Sequence, residues 1–111
     1  MIARHWTGRV RAEDAIDYAN YVRRTGIAAH RATVGNLGSM VLVRIEQTEA
    51  EVVVISLWES LDAVRAFAGD DPETAVFFAE DERYLVSADR RVKHYEVPAH
   101  EIPVSIVRGT R

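Results

Sequence analysis

Apolar residues recur at two different periods along this chain, and each change of period marks an element. Ile2 to Arg9 is short, β-favouring and without a helical period, and reads as a strand. From Ala12 to His30 the period lengthens. Ala15, Tyr18, Ala19 and Val22 recur at helical spacing while Asp14, Asp17, Asn20 and Arg24 fall elsewhere around the helix. Acidic Glu13, Asp14 and Asp17 near its start and Arg23 and Arg24 nearer its end suit the helix dipole, and Gly26 is expected to fray or stop it. Residues 33–38 (TVGNLG) are turn chemistry.

Alternation at period two returns at Met40 to Gln47. It places Val41, Val43 and Ile45 on one face and Met40, Leu42, Arg44 and Glu46 on the other. A short polar connection, Thr48 to Glu51, predicts a hairpin to a second strand, Val52 to Glu59. That strand is almost continuously apolar, as expected of a central strand buried on both faces. Ser60 then caps a helix that turns Leu61, Val64, Phe67 and Ala68 inward and closes at Gly69. Asp71-Pro72 is expected to restart helical structure, followed by an apolar turn, Ala75 to Phe78, and one further helical turn within Asp81 to Val86. Arg91 to Val97 is the last strand expected of the domain, residues 1–97. The segment 98–111 reads as a C-terminal tail with β character at Ile102 to Val107, placed to pack on a partner subunit.

The predicted order, β-α-β-β-α-β, is the split βαβ arrangement of a ferredoxin-like α+β fold, an antiparallel sheet with both helices on one face. The second apolar face then needs a cover from outside the monomer, and a homodimer supplies it. At ~25 cal/mol per Å², leaving several hundred Å² of apolar sheet in water forgoes roughly 10 kcal/mol.

Composition narrows the function classes. The 111 residues are enough for about one domain, with 48% apolar and 28% charged residues. A net charge of −3 with scattered basic residues gives no electrostatic footprint for nucleic acid or anionic lipid. The absence of cysteine excludes disulfides and thiolate chemistry. The N-terminus lacks a secretory apolar region, and no run is long enough to span a membrane, so the cytoplasm is the expected location.

Six segments, IARHW, TVGNLG, SLWESLDAVRAFAG, DDPETAVFF, DERYL and VKHYEV, occur in this order over residues 1–97. Together they resemble the antibiotic biosynthesis monooxygenase-like proteins of the dimeric α/β-barrel superfamily. The resemblance implies two ferredoxin-like sheets closing face to face, with a substrate cavity in each protomer between sheet and helices. It also implies oxygenation of an aromatic or polyketide-type substrate by molecular oxygen with no cofactor, metal or flavin. Relatives that degrade haem, cyclise polyketides or lack known activity keep two alternatives open: a cyclase- or lyase-like enzyme, and a non-catalytic ligand-binding or stress-associated dimer.

Trp58 matches the tryptophan that ends the family's third strand. It would offer a flat wall and an indole N–H to a substrate carbonyl, or else simply plug the junction of strand and helix. Trp6, on the face of Arg4, either stacks on an aromatic substrate or fills the barrel seam. His94 is the candidate general base for proton removal from a phenol or anthrone carbon, against a structural hydrogen bond or solvent exposure. His5 is expected near it, and the two could also serve as metal ligands, although no third ligand has a fixed spacing to them. His30 stands where the family has an aromatic residue. Arg44 either orients an enolate or carboxylate or pairs with Glu46, Glu59 or Glu96. Val54 and Val64 stand where family oxygenases carry asparagine and tyrosine, and Val34 replaces a turn proline.

Overall fold

The computed structural model describes residues 1–103; the tail's expected β segment, 102–107, lies largely outside them. Strand β1 (Ile2–Arg11) leads through a 3-10 turn (Ala12–Asp14) into helix α1 (Ala15–Val22). The helical path continues without a break through a π turn (Arg23–Ile27) into α2 (Ala28–Arg31). Gly26 does not end it. Instead the helix widens by one residue there, and α2 carries His30 on towards the sheet.

Strands β2 (Asn36–Glu46) and β3 (Glu49–Trp58) form a hairpin closed by Gln47 and Thr48, with Gln47 at φ 53°. The connection is shorter than the polar run 48–51 suggests. Glu49 and Glu51 belong to the strand because that end of the sheet meets water, and Arg9 bridges Glu46 and Glu49 across it at 3.1 and 2.8 Å. Helix α3 (Leu61–Ala68) starts on Ser60, whose hydroxyl accepts the Ala63 N–H at 3.2 Å, and ends at Gly69 with φ 97°.

Asp71-Pro72 does not restart a helix. The Asp71 carboxylate accepts the Glu73 N–H at 3.0 Å, and Thr74 then bridges to Arg91 in an extended pairing. Local side-chain bonding by aspartate has competed successfully with helix initiation. A short helix α4 (Asp81–Tyr84) precedes β4 (Leu85–Ala88), and β5 (Lys93–Glu96) follows.

The sheet is antiparallel, in the order β2-β3-β1-β4, with β5 also on β1. This is the ferredoxin-like arrangement, with its fourth strand broken in two. β4 pairs with Gly8–Val10 and β5 with Ile2–His5. Asp89 still donates its N–H to Thr7 O of β1 (2.9 Å), but residues 90–92 turn to Glu73–Ala75, through Ala75 N–H to Arg90 O (3.0 Å) and Val92 N–H to Glu73 O (2.8 Å). The break matters because it fixes the 72–75 backbone beside the N-terminal half of β1.

Both helical layers cover one face of the sheet. Val10, Ala50 and Val52 from the strands and Ala15, Tyr18, Tyr21 and Val22 from α1 make the core there. The opposite face carries Met40 and Leu42 of β2, Val53, Ile55 and Leu57 of β3, and Tyr95 of β5. Met40, Leu42 and Tyr95 are 49, 45 and 52% exposed, so the apolar second face predicted from the alternation is present and uncovered. Among the described residues no helix is long and apolar enough to cross a membrane.

Candidate functional site

Between the sheet and the helices lies a cavity of about 60 Å³. Arg4 and Trp6 of β1, Val54 and Ser56 of β3, His30 of α2 and Phe67 of α3 reach it from three sides, and Thr25 and Gly26 of the π turn line it as well. Helix widening at a cavity is a recurrent functional device. With only hydrogen at its Cα, Gly26 keeps that wall thin; a Cβ there would sit 3.7 Å from the Phe78 ring.

Arg4 is the polar centre of this space and is 3% exposed. Its guanidinium donates to Pro72 O, to Thr74 O (2.8 Å) and to His94 Nε2 (3.1 Å). These acceptors are the ones the broken fourth strand delivers. An arginine is a donor only, so His94 Nε2 carries a lone pair and the ring proton resides on Nδ1. Burial lowers the Arg4 pKa to about 10, which leaves it charged at neutral pH. The His94 imidazole is held below its ordinary value by burial first and by the Arg4 charge second, against an opposing pull from Glu73.

His30 is 5% exposed, with Nδ1 2.9 Å from Ser39 Oγ. Its ring meets Phe67 edge-on at 4.6 Å and Trp58 at 5.5 Å. Burial, followed by the Arg4 charge, pushes its pKa from 6.5 down to about 4, so the ring is neutral at pH 7. On the far wall Asp81 is buried, but both of its oxygens are engaged: one accepts the Tyr18 hydroxyl (2.8 Å), the other the Phe78 N–H. The Tyr18 hydroxyl is held well above the ordinary phenol range by burial and by that carboxylate.

The residues singled out from sequence distribute unevenly. His30 and Trp6 line the cavity; the Trp6 indole donates to Asp89 O at 3.0 Å and meets Phe77 edge-on. Trp58 is fully buried behind the lining, stacked on Phe67, with its N–H donated to Ser56 Oγ at 2.8 Å. That N–H is therefore committed inside the protein. His94 packs against Arg4 at the edge of the site. His5 does not join it: Arg4 is the register partner of His94, so His5 points to the opposite face and meets Tyr95 edge-on at 6.4 Å. Arg44 also lies on the outer face, exposed and 3.7 Å from Glu46. Among the described residues no group of three or more metal-ligating side chains is close enough to hold an ion.

Arg4 itself was not among the sequence candidates. The signal was available: Arg4, Trp6, Gly8 and Val10 share the inward phase of β1, and an arginine on that phase must be buried.

No family model matches the sequence, and no curated protein matches it. Among solved structures, a candidate antibiotic biosynthesis monooxygenase from Bacillus cereus superposes with a TM-score of 0.61 over 92% of this chain and 97% of its own. The two are 19% identical, a level at which the likeness establishes the fold.

Proposed function

We propose that this chain is a cofactor-independent, monooxygenase-like enzyme that acts on a small aromatic substrate in the cavity between sheet and helices, and that it works as a homodimer. The observation carrying the reading is the cavity's composition. Walls of Trp6, Val54, Phe67 and Phe78 surround a charged guanidinium and a neutral imidazole, Arg4 and His30. Apolar walls with a few convergent polar groups are what a small-molecule site requires. The shared fold with a Bacillus cereus protein named as a candidate antibiotic biosynthesis monooxygenase supports an oxygenase-like reading.

The chemistry follows from the two polar groups. In the tautomer that carries its proton on Nδ1, towards Ser39 Oγ, the Nε2 of His30 is the basic atom, and it accepts a proton from an acidic C–H or phenol of the substrate. Arg4 stabilises the negative charge that develops on the substrate oxygen. The carbanion gives one electron to dioxygen, the radicals combine, and the hydroperoxide loses water. A methylene and dioxygen thus become a carbonyl and water, with no external reductant. His94 is assigned to positioning Arg4 rather than to proton removal, because its Nε2 is occupied by the guanidinium.

At about 60 Å³ the space falls well short of the roughly 300–1,000 Å³ of a drug-sized site. This argues against a fused tricyclic substrate, and a single ring would extend through the open side of the cavity. The same smallness, with the Trp58 N–H committed to Ser56, favours a second reading: a non-catalytic module that binds a small ligand. Dimerisation is supported by the uncovered face of Met40, Leu42, Val53, Ile55, Leu57 and Tyr95, whose burial needs a flat apolar partner such as a second copy.

The test is dioxygen uptake by the purified protein in the presence of a metal chelator, with one-ring quinols and benzylic ketones as substrates. Turnover above the protein-free rate supports the enzyme. Tight binding of these compounds without uptake supports the second reading.

A further inference from the structure

The other described arginines either pair with carboxylates, as Arg9 does with Glu46 and Glu49, Arg65 with Asp62 and Arg91 with Asp71 and Glu73, or lie exposed to water, as Arg23, Arg24, Arg31 and Arg90 do. Arg4 does neither. It is the only arginine or lysine buried among the described residues, and no described carboxylate lies within ion-pair distance of it. Its bonded acceptors, Pro72 O, Thr74 O and His94 Nε2, are all neutral. They satisfy hydrogen bonds without cancelling the charge, and a buried uncompensated cation is costly.

The donor count points the same way. A guanidinium has five N–H groups in a planar fork. Three are committed, two of them on Nη1 and one on Nη2, which leaves the Nε–H and a second Nη2–H without an acceptor among the described residues. Nε and Nη2 form the fork that takes a carboxylate through two parallel bonds. Asp81, the other buried charged residue on this cavity, does not fill that role, since both its oxygens are bonded to Tyr18 and Phe78. The Phe67 ring centre lies 5.7 Å from the guanidinium carbon, so an apolar surface flanks the free fork.

We infer that the ligand of this site is a small monocarboxylate, its carboxylate held by Arg4 and its apolar body lying among Phe67, Val54 and Val92. The inference rests on reading the cavity as the substrate site, and it narrows the substrate to an acid. It also has a consequence for His30. The Arg4 charge contributes to holding that imidazole low, so an anion seated on Arg4 offsets that charge and makes His30 a stronger base when the site is occupied.

The experiment compares charged and neutral isosteres on the intact protein: benzoate against benzamide, and isobutyrate against isobutyramide, by calorimetry and by NMR of the His30 ring. Each acid is expected to bind about tenfold or more tightly than its amide, the discrimination a charge-assisted bond provides. The preference is expected to vanish in Arg4→Met and to survive in part in Arg4→Lys. Benzoate is expected to move the His30 titration midpoint upward, a readout that needs no variant should Arg4→Met fail to fold. Equal binding of acid and amide, binding of neither, or a stationary His30 midpoint overturns the inference. Acid preference without dioxygen uptake keeps the carboxylate site and removes the oxygenase reading. Uptake with neutral quinols and no preference for acids does the reverse.

Discussion

Acidification should destabilise this protein through one buried imidazole. His30 is 5% exposed and its pKa falls from 6.5 to about 4, chiefly because burial penalises the imidazolium and secondarily because Arg4 is positive. Below the ordinary imidazole value the unfolded chain takes up a proton that the folded chain refuses until the pH nears 4. The unfolded state therefore binds more protons through this window, and stability falls as the pH falls. The full contribution is present above 6.5 and is lost on the way down to about 4. Linkage with these two values gives a loss of roughly 2–3 kcal/mol between about pH 7 and pH 4.5, a large share of a small domain's total. The control is His30→Phe, which keeps an aromatic ring against Phe67 and Trp58 but cannot titrate. Urea unfolding of both proteins across this range isolates the term. Asp71 and His94, whose shifts also weaken the fold on acidification, contribute to both proteins and cancel in the difference. The stability difference, wild type minus variant, should fall by roughly 2–3 kcal/mol from its value at neutral pH. Parallel curves would refute the assignment of a buried, base-suppressed His30, and with it the pull of Arg4 on that ring.

Three other outcomes follow from particular contacts. Gly35→Ala should cost about 2–3 kcal/mol in chemical denaturation, because φ there is +96° and a Cβ would stand 2.5 Å from the Ala63 Cβ. Tyr18→Phe should cost about 1–3 kcal/mol at neutral pH, since the buried Asp81 carboxylate loses its hydroxyl donor; unchanged urea midpoints would mean that Asp81 finds another partner. Leu42→Asp, on the open sheet face where Leu42 is 45% exposed, should leave circular dichroism unchanged. By light scattering it should halve the particle mass; a mass identical to wild type would place the subunit interface elsewhere.

Much of the fold could be read from apolar spacing alone. The alternation through Met40–Glu46 assigned each side chain to its correct face, and the Ser60 cap and Gly69 stop bounded α3 as expected. Local rules failed where tertiary partners decided the outcome. The last strand splits because residues 90–92 pair with 73–75 rather than continuing along β1, and no local pattern announces a pairing across some 17 residues. Gly26 reads locally as a residue that frays or stops a helix, yet the helix absorbs it as a π turn whose thin wall borders the cavity.

The site was less legible for a related reason. Trp58 is a candidate through the family resemblance and Arg44 through its place on the second strand, and the structure gives one an internal acceptor and the other a surface carboxylate. His94 was placed on the correct strand, but its role depends on Arg4, the register partner directly across from it. An arginine near a strand start ordinarily lies at the surface, so its residue type alone does not mark Arg4. Phase along the strand, rather than residue type, carried the information.

The central claim is that substrate in the Arg4–His30 cavity reacts directly with dioxygen. Isotopically labelled dioxygen tests it most directly, with the purified, chelator-treated protein and a one-ring aromatic acid bearing an oxidisable phenol or methylene. The account predicts one labelled atom in the product and the other in water, at a rate that Arg4→Met or His30→Phe sharply reduces. Unlabelled product, or labelling that proceeds equally in both variants, would contradict it.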